Sequence, residues 1–210
     1  MSRLLGVGAI VLASSVGAAQ ASTLGFEDLT KDPTFLPVPG DKTSDGFLFD
    51  SSGDHIHVDG GATPMWLTTN GTTFIVEDFG FSITFSPTAG GPFTLTSMDI
   101  SEAHEFARAR QVQVTGLRFG GGIDPTPLTL SLDAFSTTPF GPNGFQTFSF
   151  GSDWQNLLSV TLLGVGDPAG GNYWALDNIV VEKAVPEPGT LTLLGLGSAY
   201  LVRRRRRNQQ

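Results

Sequence analysis

Apolar and polar residues alternate with a period of two along most of this chain. Phe79, Phe81, Ile83 and Phe85 alternate with Gly80, Ser82 and Thr84, and Leu128, Leu130, Leu132 and Ala134 alternate with Thr129, Ser131 and Asp133. Successive side chains of a strand point to opposite faces, so each run places its apolar set on one buried face. The same pattern predicts strands at 24–28, 46–50, 55–58, 64–68, 73–77, 93–100, 111–119, 146–150, 158–163 and 173–182. Two of these change parity part-way, from Phe93 and Leu95 to Met98 and Ile100 and from Val112 and Val114 across Gly116 to Leu117 and Phe119, and each change predicts a bulge. Turn chemistry separates the strands: Asn70-Gly71 predicts a tight hairpin, and Gly90-Gly91-Pro92, Gly120-Gly121-Gly122, Gly141-Pro142-Asn143-Gly144 and Asp167-Pro168-Ala169-Gly170-Gly171 mark further connections. The one helical prediction inside this region is 102–110. About ten short strands with regular turns predict an all-β domain, a jelly roll or β-sandwich.

The period of two fails at both ends. Arg3, the apolar run 4–16 and Ala19-Gln20-Ala21 read as a secretory signal peptide, a helix removed so that the mature chain begins at Ser22. At the other end Pro186, Glu187 and Pro188 precede the apolar run 190–202 and then Arg203, Arg204, Arg205, Arg206 and Arg207. Two prolines bar a helix or a ladder through 186–188. The run of thirteen residues spans ~20 Å as a helix, short of the ~30 Å bilayer core, which makes it a marginal anchor. The arginines stay cytoplasmic, so the body of the protein lies across the membrane from them. The chain therefore divides into a signal peptide at 1–21, a β-sandwich at 22–184 and a sorting segment at 185–210.

Composition narrows what the domain between these ends can do. From Ser22 to Ala184 it has six Lys and Arg against nineteen Asp and Glu, a net charge of −13, which argues against nucleic acid as a partner. With no cysteine, the fold has no disulfide, and thiolate metal sites and cysteine nucleophiles are excluded. No Gly-x-Ser-x-Gly, His-Glu-x-x-His or phosphate-binding loop is present, so an enzyme is not expected. Glu102 and Glu105 are the carboxylate pair that a polysaccharide hydrolase would need, but neighbours on a short turn do not face one another across a scissile bond. His55 and His57, beside Asp54 and Asp59, could give two ligands to zinc, or could simply line a polar strand face. Among the aromatic residues, Trp154 sits between Asp153 and Gln155 in a polar stretch and is the first choice for a platform that stacks on sugar rings. Trp66, Tyr173 and Trp174 follow, with burial in the core as the alternative for each.

The segment from Val185 to Arg207 resembles the PEP-CTERM sorting signal, also called the ice-binding protein C-terminal domain. That resemblance implies recognition by an exosortase, export through the inner membrane, transient anchoring by the C-terminal helix and final placement at the cell surface or in the extracellular polysaccharide. Ice binding itself finds no regular Thr-x-Thr ladder to support it. Phe26-Glu27, Gly144-Phe145-Gln146-Thr147-Phe148, Trp154, Ser159-Val160-Thr161 and Asp177-Asn178-Ile179-Val180-Val181 resemble the galactose-binding-like jelly roll. Modules of that fold often join first and last strands through a structural calcium ion, which implies Glu27 and Asp177 as ligands. The alternative is an exposed Glu27 and an Asp177 that caps a turn through Asn178. The function expected is a non-enzymatic surface or matrix protein that binds polysaccharide, with a purely adhesive protein and a polysaccharide hydrolase as rivals.

Overall fold

The computed structural model describes residues 20–31, 40–53, 55–59, 71–77, 80–103, 108–133, 144–166 and 171–183. Residues 1–19 of the expected signal peptide, the sorting segment, Trp66, Glu105 and the strand expected at 64–68 lie outside them. Gln20–Lys183 forms one compact unit.

Twelve strands are found among the described residues: β1 (Gln20–Leu24), β2 (Lys42–Ser44), β3 (Phe47–Ser51), β4 (Ile56–Asp59), β5 (Phe74–Glu77), β6 (Ser82–Pro87), β7 (Phe93–Glu102), β8 (Gln111–Arg118), β9 (Leu128–Ser131), β10 (Gln146–Ser149), β11 (Leu157–Val165) and β12 (Trp174–Lys183). They form two antiparallel layers. One runs β2-β3-β6-β11-β8-β9; in the other, β7 lies between β10 and β12, and the far edge of β12 takes β1 along one half and the β5–β4 pair along the other. The layers meet at one corner, where Phe93 of β7 pairs with Leu157 of β11. This is the expected all-β sandwich.

The core between the layers holds the apolar parity of each strand. Phe47, Phe49, Phe85 and Val160 come from one layer and Ile75, Ile100, Leu176 and Val181 from the other. Phenylalanine edges meet ring faces there, with Phe26 and Phe49 at 5.0 Å and Phe47 and Phe93 at 5.3 Å between centroids, an arrangement favoured by the ring quadrupole. A smaller cluster of Phe74, Val76, Ala103 and Ala175, with Phe145 and Tyr173 against it, covers the opposite face of β5 and β12. Both faces of these strands are therefore buried.

The parity change in β7 is a bulge. Its register with β12 shifts between Asp177 and Val180 and again before Val181, and Asn178 takes a positive φ of 47°. The second expected bulge is placed differently. β8 keeps its phase, with Gly116 on the inner side under Pro125, and the irregularity falls on β11 between Leu157 and Ser159. Leu117 and Phe119 consequently point outward, 48% and 42% exposed. The helix expected at 102–110 is not found at its described residues: Glu102 closes β7, Arg108 bridges to Tyr173, and Ala103 and Ala109 both donate backbone bonds to the Tyr173 carbonyl, while 104–107 lie outside the described residues.

Candidate functional site

β12 is long enough to take two partners end to end on one edge. Leu24–Gln20 of β1 pair with Ile179–Lys183, while Glu77–Ile75 of β5 pair with Trp174–Leu176. Between these pairings lie Asp177 and the bulged Asn178, and there the chain turns out of β1 through Phe26 at φ 59°. Side chains fill the interruption. The Glu27 carboxylate accepts the Thr73 amide at 2.7 Å on Oε1 and the Thr73 hydroxyl at 2.8 Å on Oε2. Next door, Asp177 accepts the Thr72 hydroxyl at 2.7 Å and the Asn178 amide at 2.8 Å. Across the sheet, Asp99 faces Asp177 in register and accepts the Thr147 hydroxyl at 2.6 Å and the Asn178 side-chain amide at 3.0 Å.

Glu27 and Asp177, 150 positions apart in sequence, thus converge on the adjacent residues Thr72 and Thr73. The result is a polar clasp that ties first strand, last strand and β5 together. The two Thr73 bonds, amide before hydroxyl, hold the Glu27 carboxyl below its ordinary range, with a smaller contribution from Lys31. Asp177 is wholly buried. The donors at this place are all oxygens, the set a hard cation takes. Among the described residues no group of three or more His, Cys, Asp or Glu side chains is arranged to hold a metal ion.

The other expected residues fall elsewhere. Trp154 is 3% exposed, closes a single turn of 3-10 helix and packs edge-on against Phe150 at 4.9 Å. Trp174 is fully buried on the inner face of β12. Neither indole can stack on a sugar, which corrects that expectation for both; in a one-turn segment the polar neighbours point away while the indole turns inward. Tyr173 is half-buried against the smaller apolar cluster. His57 is buried on β4, and His55 lies before that strand, stacked on Phe81 at 5.4 Å. Glu102 is buried beside Trp174, with Glu77 on the other side of the same indole in register. Thr72, Thr73 and Asp99 were not anticipated. The threonines follow the Asn70-Gly71 turn signal, and Asp99 is the acid at the parity change of β7.

The outer face of the β3-β6-β11-β8-β9 layer has a different character. In-register rows run Asp50, Thr84, Thr161, Thr115 and Ser82, Leu163, Gln113, Thr129. Thr84 and Thr161 share a hydrogen bond of 2.8 Å. Asp50 is the one charged residue in these two rows of a strongly acidic domain.

The fold has solved counterparts. A DUF4465 family protein from Bacteroides caccae is similar at a TM-score of 0.50 and 13% identity, over 78% of this chain and 99% of that one. A family 29 carbohydrate-binding module from Piromyces equi gives 0.41 and 9% over 79% and 91%. A family 11 carbohydrate-binding module from Clostridium thermocellum, in complex with a beta-1,3-1,4-mixed-linked tetrasaccharide, gives 0.34 and 12% over 81% and 100%. The first shows the shared β-sandwich; the likeness to the two modules is looser. No curated protein matches the chain. Residues 184–207 match the PEP-CTERM protein-sorting motif. The chain thus carries a β-sandwich followed by a PEP-CTERM sorting signal, which implies exosortase-dependent export.

Proposed function

We propose that this is a non-enzymatic protein of the cell surface or extracellular matrix, delivered by the exosortase route, whose sandwich binds neutral polysaccharide on the outer face of β6, β11 and β8. The observation that carries this reading is the uncharged lattice of Thr84, Thr161, Thr115 and Gln113, with Leu163 beside it, on a domain of net charge −13. Sugars offer hydroxyls to hydrogen-bond and apolar ring faces to cover, and a strand surface of hydroxyls, an amide and a leucine answers both. Retention in gels cast with neutral polysaccharides tests it. Gln113→Ala with Thr115→Val should reduce retention at least about fivefold while the melting temperature holds. Equal retention by parent and variant, or no retention by either, rejects the face as a binding site and leaves the adhesive reading.

The same proposal includes a structural calcium at the clasp, held by Glu27 and Asp177 with threonine oxygens completing part of its shell. Its support is the convergence of an acid from each end of the domain on Thr72-Thr73. An ion that binds only the folded state raises apparent stability. Saturating calcium should therefore raise the melting temperature over that in chelator, and Glu27→Gln should abolish the rise. Identical melting in calcium and chelator rejects the ion and leaves the hydrogen bonds as the whole clasp.

A further inference from the structure

The end of the sandwich from which the chain departs carries its exposed hydrophobic side chains. Lys183, the last residue of β12, pairs with Phe93, Phe93 with Leu157 and Leu157 with Arg118, while Gln20 at the start of β1 also pairs with Lys183. That row runs along one end of the domain. Around its Arg118 side stand Leu117 at 48%, Phe119 at 42%, Leu158 at 38% and Ile123 at 91% exposure, the large hydrophobics left exposed among the described residues.

These side chains are held out by a built loop. The Phe119 amide donates to the Asn156 carbonyl at 2.8 Å, and the Asn156 side chain donates back to the Phe119 carbonyl at 3.3 Å. The Arg118 guanidinium donates to the carbonyls of Asp153 at 2.7 Å and Gln155 at 2.9 Å, and its amide donates to Asp124 at 2.7 Å. Gly120 and Gly121 take positive φ values of 78° and 76°, a path that residues with a Cβ adopt only under strain. Phe119 and Ile123 therefore project from a constrained turn.

Six residues, 184–189, separate Lys183 from the apolar run 190–202. Fully extended, six residues reach about 20 Å. An apolar run backed by five arginines enters a lipid bilayer, so the row ending in Lys183 is tethered within that distance of the membrane surface. We propose that Leu117, Phe119, Ile123 and Leu158 form a lipid-docking surface that seats the domain on the bilayer while its tail is anchored. The inference rests on the exosortase-route reading of that tail. The tether supplies a high effective concentration, so a patch this small suffices. Near this end Arg118 and Lys183 are outnumbered by Asp28, Asp45, Asp124, Asp153 and Glu182. The surface that fits is zwitterionic lipid, since anionic headgroups would be repelled.

The chain has no cysteine, so single labels can be introduced without background. Ile123→Cys and Thr129→Cys, both at exposed positions, are spin-labelled in the chain from Ser22 to Gln210 and reconstituted in phosphatidylcholine vesicles. The label at 123 should be at least about threefold less accessible to a water-soluble relaxant than the label at 129, and Phe119→Ser should raise its access toward that of 129. Equal access at the two positions in protein that floats with the vesicles overturns the docking surface alone. Protein that does not float overturns the anchoring reading and the docking surface with it. Protection that disappears on diluting protein within lipid identifies a second copy as the occupant and also overturns the proposal.

Discussion

Removing the Asp177 carboxylate tests the clasp most directly. Asp177 is fully buried and accepts the Thr72 hydroxyl at 2.7 Å and the Asn178 amide at 2.8 Å. Hydrogen bonds to a charged group contribute about 1.5–3 kcal/mol each, so Asp177→Ala forfeits roughly 3–6 kcal/mol of interaction. Relief of carboxylate desolvation and the access of half-buried Thr72 to water return part of that. A net loss of about 2–4 kcal/mol is expected, which for a domain of this size lowers the melting temperature by roughly 5–15 °C. Asp177→Asn keeps one acceptor oxygen and should lose about half as much. Thr72→Ser keeps the donor and should stay within ~1 kcal/mol of the parent, whereas Thr72→Val should not. Circular dichroism melts of Gln20–Lys183 in chelator measure all four without any contribution from an ion. An Asp177→Ala protein melting within about 2 °C of the parent, or a Thr72→Ser protein as damaged as Thr72→Val, would refute the bonds as the source of stability.

Three further outcomes are expected. Thr73 lowers the pKa of folded Glu27, so Glu27 contributes stability above its unfolded pKa that is lost as pH falls through the folded value; the gap in melting temperature between parent and Glu27→Gln should close over that window, and a gap constant with pH would contradict it. Gly164→Ala would place a Cβ 2.5 Å from Trp174 Cδ1 and 2.6 Å from the Asn172 carbonyl oxygen, and with a backbone atom unable to step aside the loss should reach about 3 kcal/mol by chemical denaturation; an unchanged midpoint would contradict the contact. Trp154→Ala should cost about 3–5 kcal/mol as a core truncation, and polysaccharide retention per folded molecule should not change; selective loss of retention in stable protein would restore the indole as a platform.

Strands with a strong period of two were legible because inward and outward residues differ in polarity at every step. β3, β7, β8, β11 and β12 match their expected ranges within one or two residues at nearly every end. β2 was not anticipated, since Lys42-Thr43-Ser44 has no apolar side chain and Ser44 is buried by donating its hydroxyl to Asp28. The opening strand was expected at 24–28 but lies at Gln20–Leu24, because Phe26 reaches the core from a left-handed turn and not from a strand. At Gly116 the parity rule counted residues correctly and assigned the bulge to the wrong strand. Pro125 fills the inner space over Gly116, so β8 continues in phase and its neighbour β11 absorbs the extra residue. The indoles were illegible for another reason. β12 is covered on both faces where Trp174 sits, and no alternation survives at the start of a strand buried on both sides.

The convergence of Glu27 with Asp177 was expected from resemblance, and the structure supplies its physical cause. An edge that takes two strands end to end must leave a gap where one stops and the next begins, and backbone groups in such a gap still require partners. β12 places Asp177 and the bulged Asn178 at that gap, Glu27 arrives just after β1 ends, and Thr72-Thr73 arrive just before β5 starts. The clasp is therefore tied to an edge strand whose first two residues, Gln20 and Ala21, are the last two of the expected signal peptide. Gln20 and Ala21 pair with Lys183 and Glu182, so cleavage after Ala21 would shorten β1 from five paired positions to Ser22–Leu24. Three ladder positions hold an edge strand weakly, and the carboxylate of Glu27, the buried ring of Phe26 and the Asp28 bond to Ser44 then secure the new N-terminus from just beyond the ladder. On such a cleavage, the same residues that mark the candidate site would keep the first strand in place.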